Sequence, residues 1–223
     1  MKPHHAKPRI GGFTIIEGLV CAVVLFILAT LLLPALSKPK SRHRIFCISN
    51  IKQIGLAFRM WSNDHSEQFP WQVSSEGTNG GTKEFAITGD VWRHFQAISN
   101  ELTTPKIVHC FEDKERTRAP QWESFTNNSH LSYFVGLEAN EVLPQTILSG
   151  DRDLVSNVQP VGGILTLSTN DYLKWSKRIH KEQGNIGLAD GSATQASETI
   201  LKRQLQSLFQ STSQPVFRLA LPQ

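Results

Sequence analysis

Residues 11–36 read GGFTIIEGLVCAVVLFILATLLLPAL, and this stretch decides how the rest of the chain is organised. From Phe13 to Leu36, Glu17 is the only charged residue. About 20 apolar residues in a helix cross a hydrocarbon core roughly 30 Å thick, so 13–36 reads as a transmembrane helix. The 223-residue chain is then one extracytoplasmic body held by one anchor. A removed secretory signal fits less well. Its apolar core is shorter, and residues 34–40, PALSKPK, offer no small-residue cleavage site. A passive anchor leaves Glu17 unexplained, because an acid at the centre of a spanning helix costs roughly 2.5–3.5 kcal/mol.

The order of features accounts for the acid. A basic leader, MKPHHAKPRIGG, precedes FTIIE. A cut between Gly12 and Phe13 leaves a positive amino group on Phe13, and Glu17 follows four residues later. Residues so spaced share a helix face, and a carboxylate in the first turn suits the helix dipole. In an assembly the same acid can reach the amino terminus of a neighbouring chain. It then marks the register of packed helices, the best-attested use of a buried ion pair.

Gly12, Phe13, Thr14 and Glu17, followed by the apolar run, strongly resemble the class III signal of bacterial type IV pilins and type II secretion pseudopilins. The resemblance implies that prepilin peptidase cuts after Gly12 and that Phe13 is N-methylated. It also implies that Glu17 serves assembly. Pro34 falls where such helices commonly kink, since proline removes one helix hydrogen bond. Basic residues flank the span on both sides, so the orientation, leader inside and body outside, comes from the resemblance.

Beyond the span, Cys47, Ile51, Ile54, Phe58 and Trp61 recur at helical spacing, with Lys52, Arg59 and Asn63 largely off the stripe. The reading is one long helix from about Thr14 to about Ser62, bent near Pro34 and loosened near Pro39, with an amphipathic outer half. Residues 74–82 form a loop. KEFAIT is a strand candidate, DVWRHFQAISNEL a helix capped by Asp90, and KIVHCF a buried strand. Residues 112–130 are polar and read as an exposed excursion. LSYFVGL, QTILSG, GGILTLS, NIGLA and SATQA are strand-like pieces joined by turns, which suggests an antiparallel sheet. SETILKRQLQSLF is a helix capped by Ser197, with Leu201, Leu205 and Leu208 on one face. The tail QPVFRLALPQ is an edge strand or loose.

The block CISNIKQIGLAFRMWSNDHSEQFP resembles one that follows the anchor in a large group of pseudopilin-like proteins. That group also carries the H-x9-D-G signature matched by His180, Asp190 and Gly191. Its second cysteine often lies in C-P-x-D, where this chain has HCFED. The residues themselves favour a structural reading of the signature. Asp190-Gly191 suits a type I′ hairpin turn, and His180 braces that turn from across the sheet. A metal would need converging ligands. Asp151, Asp153, Asp171 and Asp190 are candidates, and Asp151 and Asp153 in SGDRDL read first as a solvated turn. The resemblance raises calcium, but no cofactor is expected and the metal ligands stay unknown. Cys47 and Cys110 form a disulfide if the body is exported, or remain thiols, one in a helix and one in a strand. Cys21 reads as an ordinary buried thiol of the apolar run.

Three of the 23 basic residues, Lys2, Lys7 and Arg9, precede Gly12 without an accompanying acid. Without them the body is nearly neutral against 19 acids, which gives no footprint for nucleic acid. Lys38, Lys40, Arg42 and Arg44 read as a membrane-edge cluster. No G-x-S-x-G and no glycine-rich phosphate loop occurs, so an enzyme is not expected. The expected protein is pilin-like and α+β. A leader, 1–12, precedes the transmembrane and filament-packing helix, 13–36. An amphipathic continuation, 37–65, leads into a periplasmic body, 66–223. Its expected partners are prepilin peptidase, other pilin-like subunits, an inner-membrane assembly platform and membrane lipid. The alternative is a membrane-anchored binding module for a glycan or metal, with Trp71, Trp122 or Trp175 exposed for stacking.

Overall fold

The computed structural model describes residues 12, 14–36, 42–76, 80–212 and 214–223, without the side chains of 31–36, 42–44 and 211–212. The leader up to residue 11, the cleavage and methylation position Phe13, and residues 37–41 lie outside the described residues. The chain divides into two units, Met1–Arg42 and His43–Gln223.

The first unit holds α1 (Ile15–Leu36). Its start is fixed by a reciprocal pair. The Glu17 carboxylate accepts from the Thr14 N–H and hydroxyl, both at 2.8 Å, and Thr14 Oγ1 accepts from the Glu17 N–H at 3.4 Å. This is a capping box, which satisfies donors that a helix N-terminus otherwise leaves open. Glu17 thus has a local role that the sequence reading did not assign. The described apolar side chains of α1 are exposed all round, from Ile15 and Ile16 to Ile27 and Leu28. Cys21, expected to be buried, is an exposed free thiol. Side chains are described as far as Thr30, a rise of about 24 Å at 1.5 Å per residue. Among the described residues no helix is long and apolar enough to cross a membrane.

The second unit is α+β. Helix α2 (Arg42–Asn63) carries the predicted stripe, and Cys47, Ile51, Ile54 and Phe58 are wholly buried. The single helix expected from Thr14 to Ser62 is described over Ile15–Leu36 and Arg42–Asn63, and the expected join between them lies outside the described residues. After α2 the chain turns through Ser66 and Glu67, both at positive φ, and buries Phe69 against Phe58. Helix α3 (Val91–Ala97) places Val91, Phe95 and the following Ile98 in the same core, while Trp92 stays half-buried. Asp90 precedes α3 but makes no capping bond to it.

The sheet is antiparallel and six-stranded. Its strands are β1 (Tyr133–Gly136), β2 (Ile147–Asp151), β4 (Ile164–Ser168), β6 (Gln183–Leu188), β7 (Ala193–Ser197) and β8 (Val216–Ala220), in the order β4-β8-β1-β2-β6-β7. A separate ribbon pairs β3 (Leu154–Ser156) with β5 (Leu173–Trp175). Alternation sends side chains to opposite faces. Tyr133, Val135 and Leu148 join the core that contains α2 and α3. Phe134, Ile147 and Ile186 join a second core with Leu201, Leu205 and Leu208 of α4 (Glu198–Thr212). Ser197 caps α4, accepting from the Ile200 N–H at 3.4 Å. Strands β1 and β2 are buried on both faces, and β1, YFVG, accordingly reads without a polar alternation.

Several expectations are corrected. KEFAIT is not a strand: Lys83–Phe85 is a 3-10 turn. KIVHCF is not one either. Pro105 opens a 3-10 helix, Pro105–Val108, suited to a residue with fixed φ and no N–H. The 112–130 excursion is anchored by buried Asp113, Ala119 and Phe125. The C-terminal strand β8 is interior, paired to β4 and β1, because its apolar Phe217, Leu219 and Ala220 are needed in the cores.

Candidate functional site

Helix α2 lies along β6 and meets it at successive turns. Ile51 stands where a side chain at Gly187 would be: a Cβ there would come within 2.6 Å of Ile51 Cγ2. A Cβ on Gly55 would stand 3.4 Å from the Gly191 Cα. One turn on, Arg59 Nη1 donates to the Asp190 carbonyl at 2.9 Å, and its Nε donates to Glu141 at 3.0 Å. The sequence block around α2 and the H-x9-D-G signature are therefore two sides of one packing unit.

The signature itself is split. His180 precedes β6, and Asp190 and Gly191 follow it, so the strand carries them to opposite ends. The predicted bracing of the turn is done by Arg59 and not by His180. The turn is also not type I′. The Leu188 N–H donates to the Ser192 carbonyl, and the Gly191 N–H donates to the Leu188 carbonyl, both at 2.9 Å. Asp190 Oδ1 accepts from the Ser192 N–H at 2.8 Å. Of Asp190 and Gly191, only the glycine has positive φ, 82°. That is a three-residue loop with its last residue left-handed, a standard hairpin closure in its own right.

His180 sits in a buried polar cluster. Cys47 of α2 and Cys110, which follows the 105–108 helix, form a disulfide with Cα atoms 5.6 Å apart. His180 Nε2 lies 3.4 Å from Cys110 Sγ and 3.5 Å from Asp151 Oδ2. Asp151 Oδ2 also accepts from the Asn185 N–H at 2.7 Å and from Asn185 Nδ2 at 2.9 Å. Its other oxygen is buried and has no hydrogen-bond partner among the described residues. Burial pushes the Asp151 carboxyl up to about 7, against the downward pull of the two Asn185 bonds. Tyr133 faces Asp151 across the β1–β2 ladder. Burial, with the Asp151 charge adding to it, raises its phenol well above the ordinary value. Asn50, one turn after Cys47, donates to the Tyr133 hydroxyl and the His109 carbonyl, both at 3.3 Å.

An ion network holds the segment that carries His180. Arg152 forms a bidentate pair with buried Asp113, at 2.7 and 2.8 Å, and reaches Glu115 at 2.7 Å. Asp153 accepts from Arg178 Nε and from the Ile179 N–H, both at 2.9 Å, and from the Ser176 hydroxyl. Lys181 and Glu182, directly after His180, both adopt positive φ, at 55° and 64°. Non-glycine residues in that region cost about 1–3 kcal/mol each and persist only where their surroundings over-determine them. The reading of Asp151 and Asp153 as a solvated turn is overturned. Both are buried: Arg178, Ser176 and the Ile179 N–H satisfy Asp153, and Asn185 pairs one oxygen of Asp151.

The four acids considered for calcium do not gather. Asp151 and Asp153 have the partners above, Asp171 accepts from Ser168 and Asn157, and Asp190 closes its turn. Among the described residues, the group with metal-ligand spacing is Cys47, Cys110 and His180. The tryptophans offer little for stacking on a sugar. Trp71 and Trp175 are buried, and Trp122 is half-buried with its ring edge-on to Phe125 at 5.3 Å. Sequence reasoning singled out both cysteines and His180 but did not join them. It missed Asn50 and Arg59, which stand at the margin of the α2 stripe, and Asp113, Arg152 and Asn185, which carry no local signal.

No protein-family model, curated protein or solved structure matches the chain.

Proposed function

We propose that the chain is a pseudopilin-like structural subunit. Prepilin peptidase cuts it after Gly12, and it assembles through the 13–36 helix into a type II secretion or type IV pilus-like filament. The body stands on the periplasmic side of the inner membrane. One observation carries this reading: α1 exposes apolar side chains on all sides. A helix apolar all round belongs in lipid or among other helices, and helices in lipid associate by close packing and polar contacts. The cluster T-x-x-E at its start supports the same reading, with Glu17 placed in the first turn. The work is mechanical: helix packing builds the filament, and the body selects its neighbours.

Glu17 has two jobs under this reading, cap and counter-charge, and two substitutions separate them. Glutamine keeps a capping box, whereas alanine loses it. Glu17→Gln and Glu17→Ala are both expected to insert in the membrane normally and both to fail in assembly, measured as the fraction of subunit sedimenting with sheared filaments. A Glu17→Gln subunit that assembles like wild type would assign the residue to capping alone and contradict the counter-charge role.

A further inference from the structure

We propose that Cys47, Cys110 and His180 form, in the reduced chain, three ligands of a tetrahedral site for a divalent d10 cation of the Zn²⁺ class, with the fourth position open. The inference concerns the body and does not rest on the filament reading. The three sulfur and nitrogen donors lie within 4.8 Å of one another, and all three residues are buried. Zinc holds sulfur at about 2.3 Å and nitrogen or oxygen at about 2.0–2.1 Å. A tetrahedron with those radii has edges of about 3.6 Å between sulfur and nitrogen and about 3.3 Å between nitrogen and oxygen. The Cys110 Sγ to His180 Nε2 distance is 3.4 Å. One edge among the three protein ligands is thus already set. The two sulfurs must part to about 3.8 Å, and Cys47 Sγ, within 4.8 Å of the His180 nitrogen, must settle at about 3.6 Å from it.

A second observation points the same way. Asp151 is almost wholly buried, and one of its oxygens has no hydrogen-bond partner among the described residues. A buried carboxylate left partly unpaired is costly, and a cation held on His180 sets a positive charge beside it, since the Asn185-bound oxygen Oδ2 lies 3.5 Å from His180 Nε2. A cavity of about 470 Å³ lies beside the chain neighbours of the two cysteines, with Phe46, His109 and Phe111 in its lining.

The disulfide and the metal are alternative closures of the same two sulfurs. An external dithiol breaks the Cys47–Cys110 bond, is itself oxidised to a disulfide, and leaves two electrons and two protons on the sulfurs. Cation binding to the two thiolates then releases those protons.

The test is cobalt titration of the full chain in a Cys21→Ser background, with and without prior reduction by a phosphine. The reduced protein is expected to bind one Co²⁺ per chain, with a thiolate-to-cobalt charge-transfer band and intense tetrahedral d–d bands. The oxidised protein is expected to show neither. His180→Ala is expected to weaken binding by at least about tenfold. If reduction loosens the fold, Co²⁺ or Zn²⁺ is expected to restore the near-ultraviolet circular dichroism. The proposal is overturned if the reduced chain, with both thiols titratable, shows no charge-transfer band. It is equally overturned if His180→Ala binds as tightly as the parent, or if metal fails to restore a fold lost on reduction.

Discussion

Replacing Cys47 and Cys110 together by serine lowers the stability of the body by about 4 kcal/mol. The two cysteines are separated by 63 positions, and closing a loop of that length removes about 4 kcal/mol of denatured-state entropy in the chain-entropy model. The placement adds to the expectation. Cys47 is wholly buried on α2, and Cys110 lies in a stretch without helix or strand, so the bond ties an irregular segment to the main core helix. Urea unfolding of the body is expected to show a lower midpoint and a steeper slope, since the uncrosslinked denatured chain exposes more surface. A loss below about 1 kcal/mol would contradict a stabilising role for the bond.

Asp113→Asn costs about 3 kcal/mol at neutral pH. Asp113 is 1% exposed and the Arg152 side chain 8%, so the substitution leaves a buried guanidinium with only the half-exposed Glu115 as an anionic partner. Breaking a buried pair from one side costs about 3–5 kcal/mol, and Glu115 keeps the value at the lower end. The sign with pH follows from the carboxyl. Burial alone would raise Asp113, but the bidentate bonds and charge of Arg152 hold it below its ordinary value. Its stabilisation is therefore present above the unfolded value of about 4, and is lost as the pH falls through the lower folded value. The difference between wild type and Asp113→Asn, measured by urea unfolding, is expected to shrink on acidification. A difference that stays constant into the acid range would contradict the ion-pair account.

The parts of the fold that were legible in the sequence are those where one periodicity acts alone. Cys47, Ile51, Ile54, Phe58 and Trp61 keep helical spacing over the length of α2, and all five are buried. Leu201, Leu205 and Leu208 do the same for α4. Strands β1, β2, β4, β6 and β7 stood out as strand-like pieces between turn residues. Short apolar runs elsewhere misled. KIVHCF is as apolar as a strand but follows Pro105, and a run of that length does not distinguish strand from buried turn. The three-residue strands β3 and β5 are too short to show any period. The interior position of β8 depends on partners far along the chain, at Ile164–Ser168 and Val135–Gly136.

The site was less legible, for the same physical reason. His180 and the Asp190–Gly191 turn were read together because they are close in sequence, yet β6 separates them. Cys47, Cys110 and His180 come together only because α2, the segment after 105–108 and the start of β6 converge. Asp151 and Asp153 look like surface charges in SGDRDL. Their burial depends on Asn185, Arg178 and Ile179, and nothing local announces those partners.

The central claim is that proteolysis beside the membrane frees the Phe13 amino group for Glu17 of the same or a neighbouring subunit. The most direct measurement is mass spectrometry of the amino-terminal peptide from the assembled, membrane-extracted chain. The account predicts a chain that begins at Phe13 and carries an N-methyl group. An assembled, functional pool that still begins at Met1 would contradict it.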